Sequence, residues 1–256
     1  MHINKKLTIE ELQSKKGMTP IAILTAYTYP ISKELEAAGI PLILVGDTLG
    51  MVEMGYNSTQ EVTMNDMVYH ISAVRRGAPN THIIGDLPYL SDSSPALALE
   101  NSQRLLDAGA DSIKLEGPKY DVVEFLLKNG VYVVGHLGLT PQTAQNFKQV
   151  GKDEDEANQI KLQADALVKA GVFLLVLEHI PSDLASELTH NVSVPTIGIG
   201  AGQEVDGQVL VINDVIGVGE KWPPFSKQYA HVGKTVREAA AIFKHEVETK
   251  VFDPYQ

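Results

Sequence analysis

The chain contains no cysteine. That absence excludes disulfides, thiolate metal centres and cysteine nucleophiles together, so any metal must rest on oxygen and nitrogen ligands, and it suits a reducing cytoplasm. Long apolar runs are missing too. Nothing approaches the roughly 20 residues needed to cross a bilayer, so no membrane partner is expected. The N-terminal stretch "MHINKKLTIEEL" has no apolar signal core, and Thr8 with Glu11 fits a helix capping box instead, so no export is expected. Basic residues are scarce: 21 Lys and Arg against 32 Asp and Glu give a formal charge of −11, which repels a phosphate backbone and argues against nucleic acid. Arg75 and Arg76 close a helical pattern, where cations favour the dipole, and read as surface chemistry. No apolar run leads into GxGxxG, the mark of a dinucleotide-binding open sheet.

What is present is an alternation of strand and helix patterns. Apolar runs occur in "IAILTAY", "PLILVGD", "HIIGDLP", "SIKLEG", "VYVVGHLG", "FLLVLEHIP", "VPTIGIGAG" and "GQVLVINDVIG". Near-continuous Val, Ile and Leu mark strands buried on both faces, and helical stretches between them mark parallel crossovers. Several helical patterns end in a glycine (Gly39, Gly109, Gly130, Gly171) suited to the left-handed cap. Eight βα units in 256 residues predict a (β/α)8 TIM barrel, a fold of about 250 residues. We expect one domain over 1–256, with a short N-terminal helix and a long C-terminal helix from Lys227 to Val251. The apolar stripe of that last helix, Val236, Ala240, Phe243 and Val247, suits sealing the barrel or a neighbouring subunit.

In such barrels the chemistry lies at the C-terminal ends of the strands. Five successive runs end in ionisable residues: Asp47, Asp86, Lys114 with Glu116, His136, and Glu178. Each has a plain alternative. Asp47 or Asp86 would serve as a cap or turn residue, Lys114 and Glu116 as an ion pair, His136 as a satisfied core histidine, and Glu178 as a salt-bridge partner of Lys114. Together they point to a site. Carboxylates that face one another in a partly dry mouth repel unless a cation intervenes, and two Asp and a Glu without sulfur ligands suit a hard ion such as Mg²⁺. Glu178, further round the barrel, is free to act as a base. "GIGAG" at Gly198 to Gly202 reads equally as an anion cradle or a tight turn, and Met51, Met54, Met64 and Met67 read as packing.

The motifs "VGDTLGM", "AVRRGAPN", "DLP", "KLEG", "GHLGLTPQ", "LLVLE" and "IGIGAG", in this order, resemble the ketopantoate hydroxymethyltransferase family over roughly Ile21 to Val218. The resemblance implies a barrel of the phosphoenolpyruvate/pyruvate type. It implies transfer of a hydroxymethyl group from 5,10-methylenetetrahydrofolate to 3-methyl-2-oxobutanoate through an enolate, the first step toward pantothenate. By motif position it implies Asp47 and Asp86 as Mg²⁺ ligands that also face the substrate, and Glu116 as a metal-site carboxylate, direct or through water. Thr48 (more often Ser in the family) and Lys114 would hold the 2-oxo acid, His136 would be a nearby polar contact, and Glu178 the base. It further implies a cytoplasmic homo-oligomer, a decamer in two rings. After the fifth strand the family often carries "FGGYKVQG" where this chain reads "FKQVG", a shorter lid without the Gly-Gly-Tyr. Two other classes share parts of the pattern: a Mg²⁺-dependent barrel lyase or aldolase without folate, whose isocitrate-lyase-like branch uses an active-site cysteine, and a non-catalytic metal-binding scaffold, expected to lack the base.

Overall fold

The computed structural model describes residues 5–219 and 222–254, so the first four residues of the N-terminal stretch and the last two of the expected domain lie outside it. The chain divides into two compact units, residues 1–209 and 210–256.

The first unit opens with α1 (Ile9–Gln13), then β1 (Ile21–Thr25), α2 (Tyr29–Ala37), β2 (Leu42–Val45) and α3 (Leu49–Val52). A 3-10 turn at Thr59–Glu61 leads to α4 (Met64–Gly77), β3 (His82–Asp86), α5 (Pro95–Ala108), β4 (Ser112–Glu116), α6 (Tyr120–Lys128) and β5 (Val133–Gly138). There follow α7 (Glu154–Ala170), β6 (Leu174–Glu178), α8 (Ser182–Asn191), β7 (Thr196–Ile199) and β8 (Gly207–Leu210). The eight strands close in chain order into a barrel, and the registered neighbours are parallel. All four residues of β2 and all five of β4 are buried, which is why these runs are apolar without alternation.

Local chemistry sets the ends. Thr8 and Glu11 form the expected capping box, and Ile9 and Leu12 of α1 join the core cluster that fills the barrel with Ile23, Leu42, Ile84 and Val176. Asp153 caps α7, and Gly171 ends it at φ 106°, a conformation disfavoured for residues with a Cβ. Met67 is fully buried core.

Two expectations for the first unit are corrected. Arg75 is not surface chemistry: its guanidinium donates to the carbonyls of Gly109, Ala78 and Thr81 and pairs with Asp111, so it bolts α4 to the start of β4. The expected helix between β7 and β8 is also absent. Residues 200–206 make the return directly, because they are too few for a helix with two turns yet extend to about 23 Å. Asp206 ends this crossing, taking hydrogen bonds from Lys16 Nζ, Gly17 N and Thr196 N, each at 2.8 Å.

In the second unit α9 (Ile212–Ile216) ends at Gly217, and α10 runs over Val232–Thr249 rather than from Lys227. The helix starts after Tyr229 and Ala230, whose N–H groups are bonded to the Val215 carbonyl. The stripe Val236, Ala240, Phe243 and Val247 is exposed in the single chain. Among the described residues no helix is long and apolar enough to cross a membrane.

Candidate active site

The strand register assembles the site. Asp86 lies opposite Lys114, Glu116 opposite His136, and Gly138 opposite Glu178. Side chains at matched positions of neighbouring parallel strands share a face, so these residues form a stair of charged groups at the C-terminal ends of β3 to β6.

Lys114 Nζ lies 2.7 Å from both oxygens of Asp86 and 3.9 Å from Glu116 Oε1. The imidazole of His136 stands between two acids, Nδ1 at 3.4 Å from Glu116 Oε1 and Nε2 at 3.2 Å from Glu178 Oε2. Glu178 therefore pairs with His136, not with Lys114. Its side chain is 16% exposed against 1% for Asp86 and 4% for Glu116, making it the most open of these three carboxylates. Asp47, just past β2, joins from the side: its N–H donates to Asp86 Oδ2 at 3.3 Å, and its Oδ2 accepts from Gln142 Nε2 at 2.8 Å. The buried Asp47 is thus no ordinary helix cap. Thr48 occupies the cap position of α3 but makes no side-chain capping bond.

The electrostatics follow from crowding. Burial, then the adjacent Asp86, pushes Asp47 well above the ordinary carboxylate range; burial also raises Asp86, with Lys114 opposing and Glu116 adding to the rise. Burial would raise Glu116 too, but His136, Lys114 and the Gln142 N–H outweigh it and hold this carboxyl low. Burial would lower His136, yet Glu116 and Glu178 lift it to about 9, so it is cationic at neutral pH. Lys114 is raised by the acids against its own burial. When all four acids are ionised they outnumber the two cations by two, which is why burial and crowding raise Asp47 and Asp86. Among the described residues no three acidic or imidazole side chains already form a ring around an ion. The donor chemistry nonetheless fits a hard divalent cation, because the acids offer only oxygen and are short of positive charge.

Several participants were not legible in advance. Gln142, part of the quoted "GHLGLTPQ", is 2% exposed and contacts Asp47, Leu87 and Glu116. The buried Asp92 takes Lys119 Nζ at 2.6 Å on both oxygens. This pair borders a cavity of about 530 Å³ lined also by Tyr89, Glu116, Thr140 and Gln142. The available signal was a long polar side chain within a few residues of an apolar strand end. In "GIGAG", Gly200 and Gly202 have φ of 63° and 81°, the tight-turn geometry. The short stretch after β5 is tied back through Val150 N–H, which donates to the carbonyl of His179 at 3.1 Å.

Comparison with known proteins bears on this arrangement. The family model described as ketopantoate hydroxymethyltransferase matches residues 6–254. The 3-methyl-2-oxobutanoate hydroxymethyltransferase of Pyrobaculum calidifontis is 45% identical over 254 residues, covering 97% of this chain and 96% of that one. The protein of the same name from Thermus thermophilus is 45% identical over 252 residues, covering 96% of each. Among solved structures, a phosphonopyruvate hydrolase complex with oxalate and Mg²⁺ superposes with a TM-score of 0.65 at 11% identity, covering 94% of this chain and 87% of that one. A 2,3-dimethylmalate lyase of the PEP mutase/isocitrate lyase superfamily gives 0.63 at 13% identity, with 96% and 90% covered. At such identities the structural likeness speaks for the barrel fold alone.

Proposed function

The chain belongs to the ketopantoate hydroxymethyltransferase family, and on that premise we propose that its barrel mouth moves a hydroxymethyl group from 5,10-methylenetetrahydrofolate to 3-methyl-2-oxobutanoate, giving 2-dehydropantoate and tetrahydrofolate. The observation that carries the reading is the buried stair of acids, short of positive charge, at the C-terminal ends of β3 to β6. Asp47, Asp86 and Glu116 would hold Mg²⁺. When bound, the ion would supply Lewis-acid stabilisation of negative charge developing on the keto oxygen of the 2-oxo acid.

The remaining work falls to the chain. Glu178 Oε2, the more open acid, removes the C3 proton, and the released electron pair forms the new C–C bond to the donor's methylene carbon as one of that carbon's two C–N bonds breaks, the freed nitrogen taking the proton held by Glu178. Water then displaces the second nitrogen, which takes a proton from the water, so the hydroxyl stays on the product and tetrahydrofolate leaves. Lys114 and Thr48 orient the carboxylate end of the 2-oxo acid, Lys114 as a fixed buried cation and Thr48 through its uncommitted hydroxyl. His136 holds Glu178 and Glu116 at a set separation. The cavity beside Glu116 gives room for the folate, with Tyr89 offering an aromatic face and Lys119 a cation. In this reading the whole chain works as one barrel domain with α1 and α10 as its terminal helices, in a cytoplasmic decamer.

Incubating the protein with 3-methyl-2-oxobutanoate, with and without 5,10-methylenetetrahydrofolate and with and without Mg²⁺, and following product by mass spectrometry tests the proposal. Formation of 2-dehydropantoate that requires both the folate and the ion supports it. Turnover of 2-oxo acids without folate would replace it with a lyase or aldolase reading, and ion binding without any turnover would replace it with a scaffold.

A further inference from the structure

Gln142 reaches three of the strand ends at once, two through its side chain and one through its main chain. It sits beyond β5, yet its Nε2 donates at 2.8 Å both to Asp47 Oδ2, past β2, and to the carbonyl of Leu87, past β3, while its backbone N–H donates at 3.1 Å to Glu116 Oε2, at the end of β4. Its own carbonyl accepts at 2.7 Å from Gln60 Nε2, in the 3-10 turn that follows α3. Because Leu87 presents only a carbonyl here, the amide nitrogen must face both partners, and Asp47 Oδ2 must be an acceptor. One oxygen of Asp47 is thereby fixed and the other left for a ligand.

We propose that Gln142 is a positioning residue for the ion site: its amide aims Asp47, its main chain aims Glu116, and together they set the two carboxylates at a fixed separation. The inference rests on the reading of the site as a divalent-cation centre. A neutral donor suits this task where a second lysine would not, since it orients an acid without cancelling the charge that the cation needs. Partners of this kind, bonded to metal-holding carboxylates rather than to the metal, change affinity by about 10- to 100-fold when removed. Gln60 would contribute less, because it touches only the carbonyl of Gln142.

Gln142→Met keeps the length of the side chain and the backbone N–H to Glu116 but removes both amide donors. Titrating Mn²⁺ or Mg²⁺ into metal-free protein by calorimetry should give a Kd raised about 10- to 100-fold over wild type. At saturating Mg²⁺, kcat should return to within a few-fold while the KM for 3-methyl-2-oxobutanoate stays raised, a split that general loosening of the fold would not give. Gln60→Ala should raise the metal Kd by less than tenfold. A folded Gln142→Met protein, verified by circular dichroism, whose metal Kd lies within twofold of wild type overturns the proposal. Should that variant fail to fold, Gln142→Asn, too short to reach both partners, is read by the same criterion. Absence of ion binding in the wild-type protein would remove the reading of the site, and this proposal with it; equal binding by wild type and variant removes only the proposal.

Discussion

Lys114 holds Asp86 through both carboxylate oxygens at 2.7 Å, and the two residues are partners in the β3–β4 register. Their contact is therefore set by the sheet, and the lysine cannot leave without stranding an acid in a dry site. Removing one member of a buried pair destabilises a protein by about 3–5 kcal/mol. Lys114→Met should lose a stability of that order in metal-free urea unfolding and recover part of it in Mg²⁺. Equal stability with and without the ion would show that the acids do not share a cation.

Glu178→Gln preserves shape and removes the proton acceptor. Exchange of the C3 proton of 3-methyl-2-oxobutanoate with deuterium, followed by NMR in the absence of folate, should fall by at least about 100-fold, the lower range for a general base. Calorimetric binding of the 2-oxo acid should persist. Wild-type exchange in the variant would assign the base elsewhere.

Gly138 faces Glu178 across the β5–β6 register with φ at 95°, and a Cβ there would overlap the carbonyl oxygen of Glu178. Gly138→Ala therefore shifts the strand end that carries the proposed base. A displacement near 1 Å reduces turnover about 100-fold, so kcat should fall by that order while metal affinity, which the proposal assigns to Asp47, Asp86 and Glu116, stays near wild type. Loss of both together would mean that the two halves of the site are not separable.

Asp206 predicts a pH dependence of stability. Burial would raise its pKa, but Lys16 and the N–H groups of Thr196 and Gly17 outweigh burial and hold it below the ordinary 3.8. A depressed acid contributes stability that is complete above the unfolded value and lost as pH falls through the lower folded value. The stability difference between wild type and Asp206→Asn should be constant near neutrality and shrink as the pH drops below about 3.8. A difference that grew on acidification would contradict the assignment.

The apolar runs were sufficient to foresee the barrel because strands buried on both faces leave a continuous signature, and Asp47, Asp86, Glu116 and Glu178 stood out as breaks in it. The partners of those acids were not legible. Whether Lys114 meets Asp86 or Glu178 depends on strand register, which composition does not carry. Gln142 did not stand out because an amide announces nothing until three strand ends surround it. The missing helix between β7 and β8 was a matter of counting, since the stretch between the two apolar runs was too short to hold one. Arg75 was misjudged because a cation at a helix end has a sufficient local explanation that hides its distant carbonyl partners.

The pairing of Asp86 with Lys114, Glu116 with His136 and Gly138 with Glu178 has a consequence for how this molecule tolerates change. Matched strand positions act as the teeth of a gear: inserting one residue inside β4 ahead of Lys114 would turn Lys114 and Glu116 toward the surrounding helices and mismatch them with Asp86 and His136. Insertions beyond the strand ends leave the teeth engaged. Lengthening "FKQVG" or grafting new loops above β3 and β4 would thus alter which molecules enter without resetting the acids, giving the barrel a fixed reaction centre beneath an exchangeable rim.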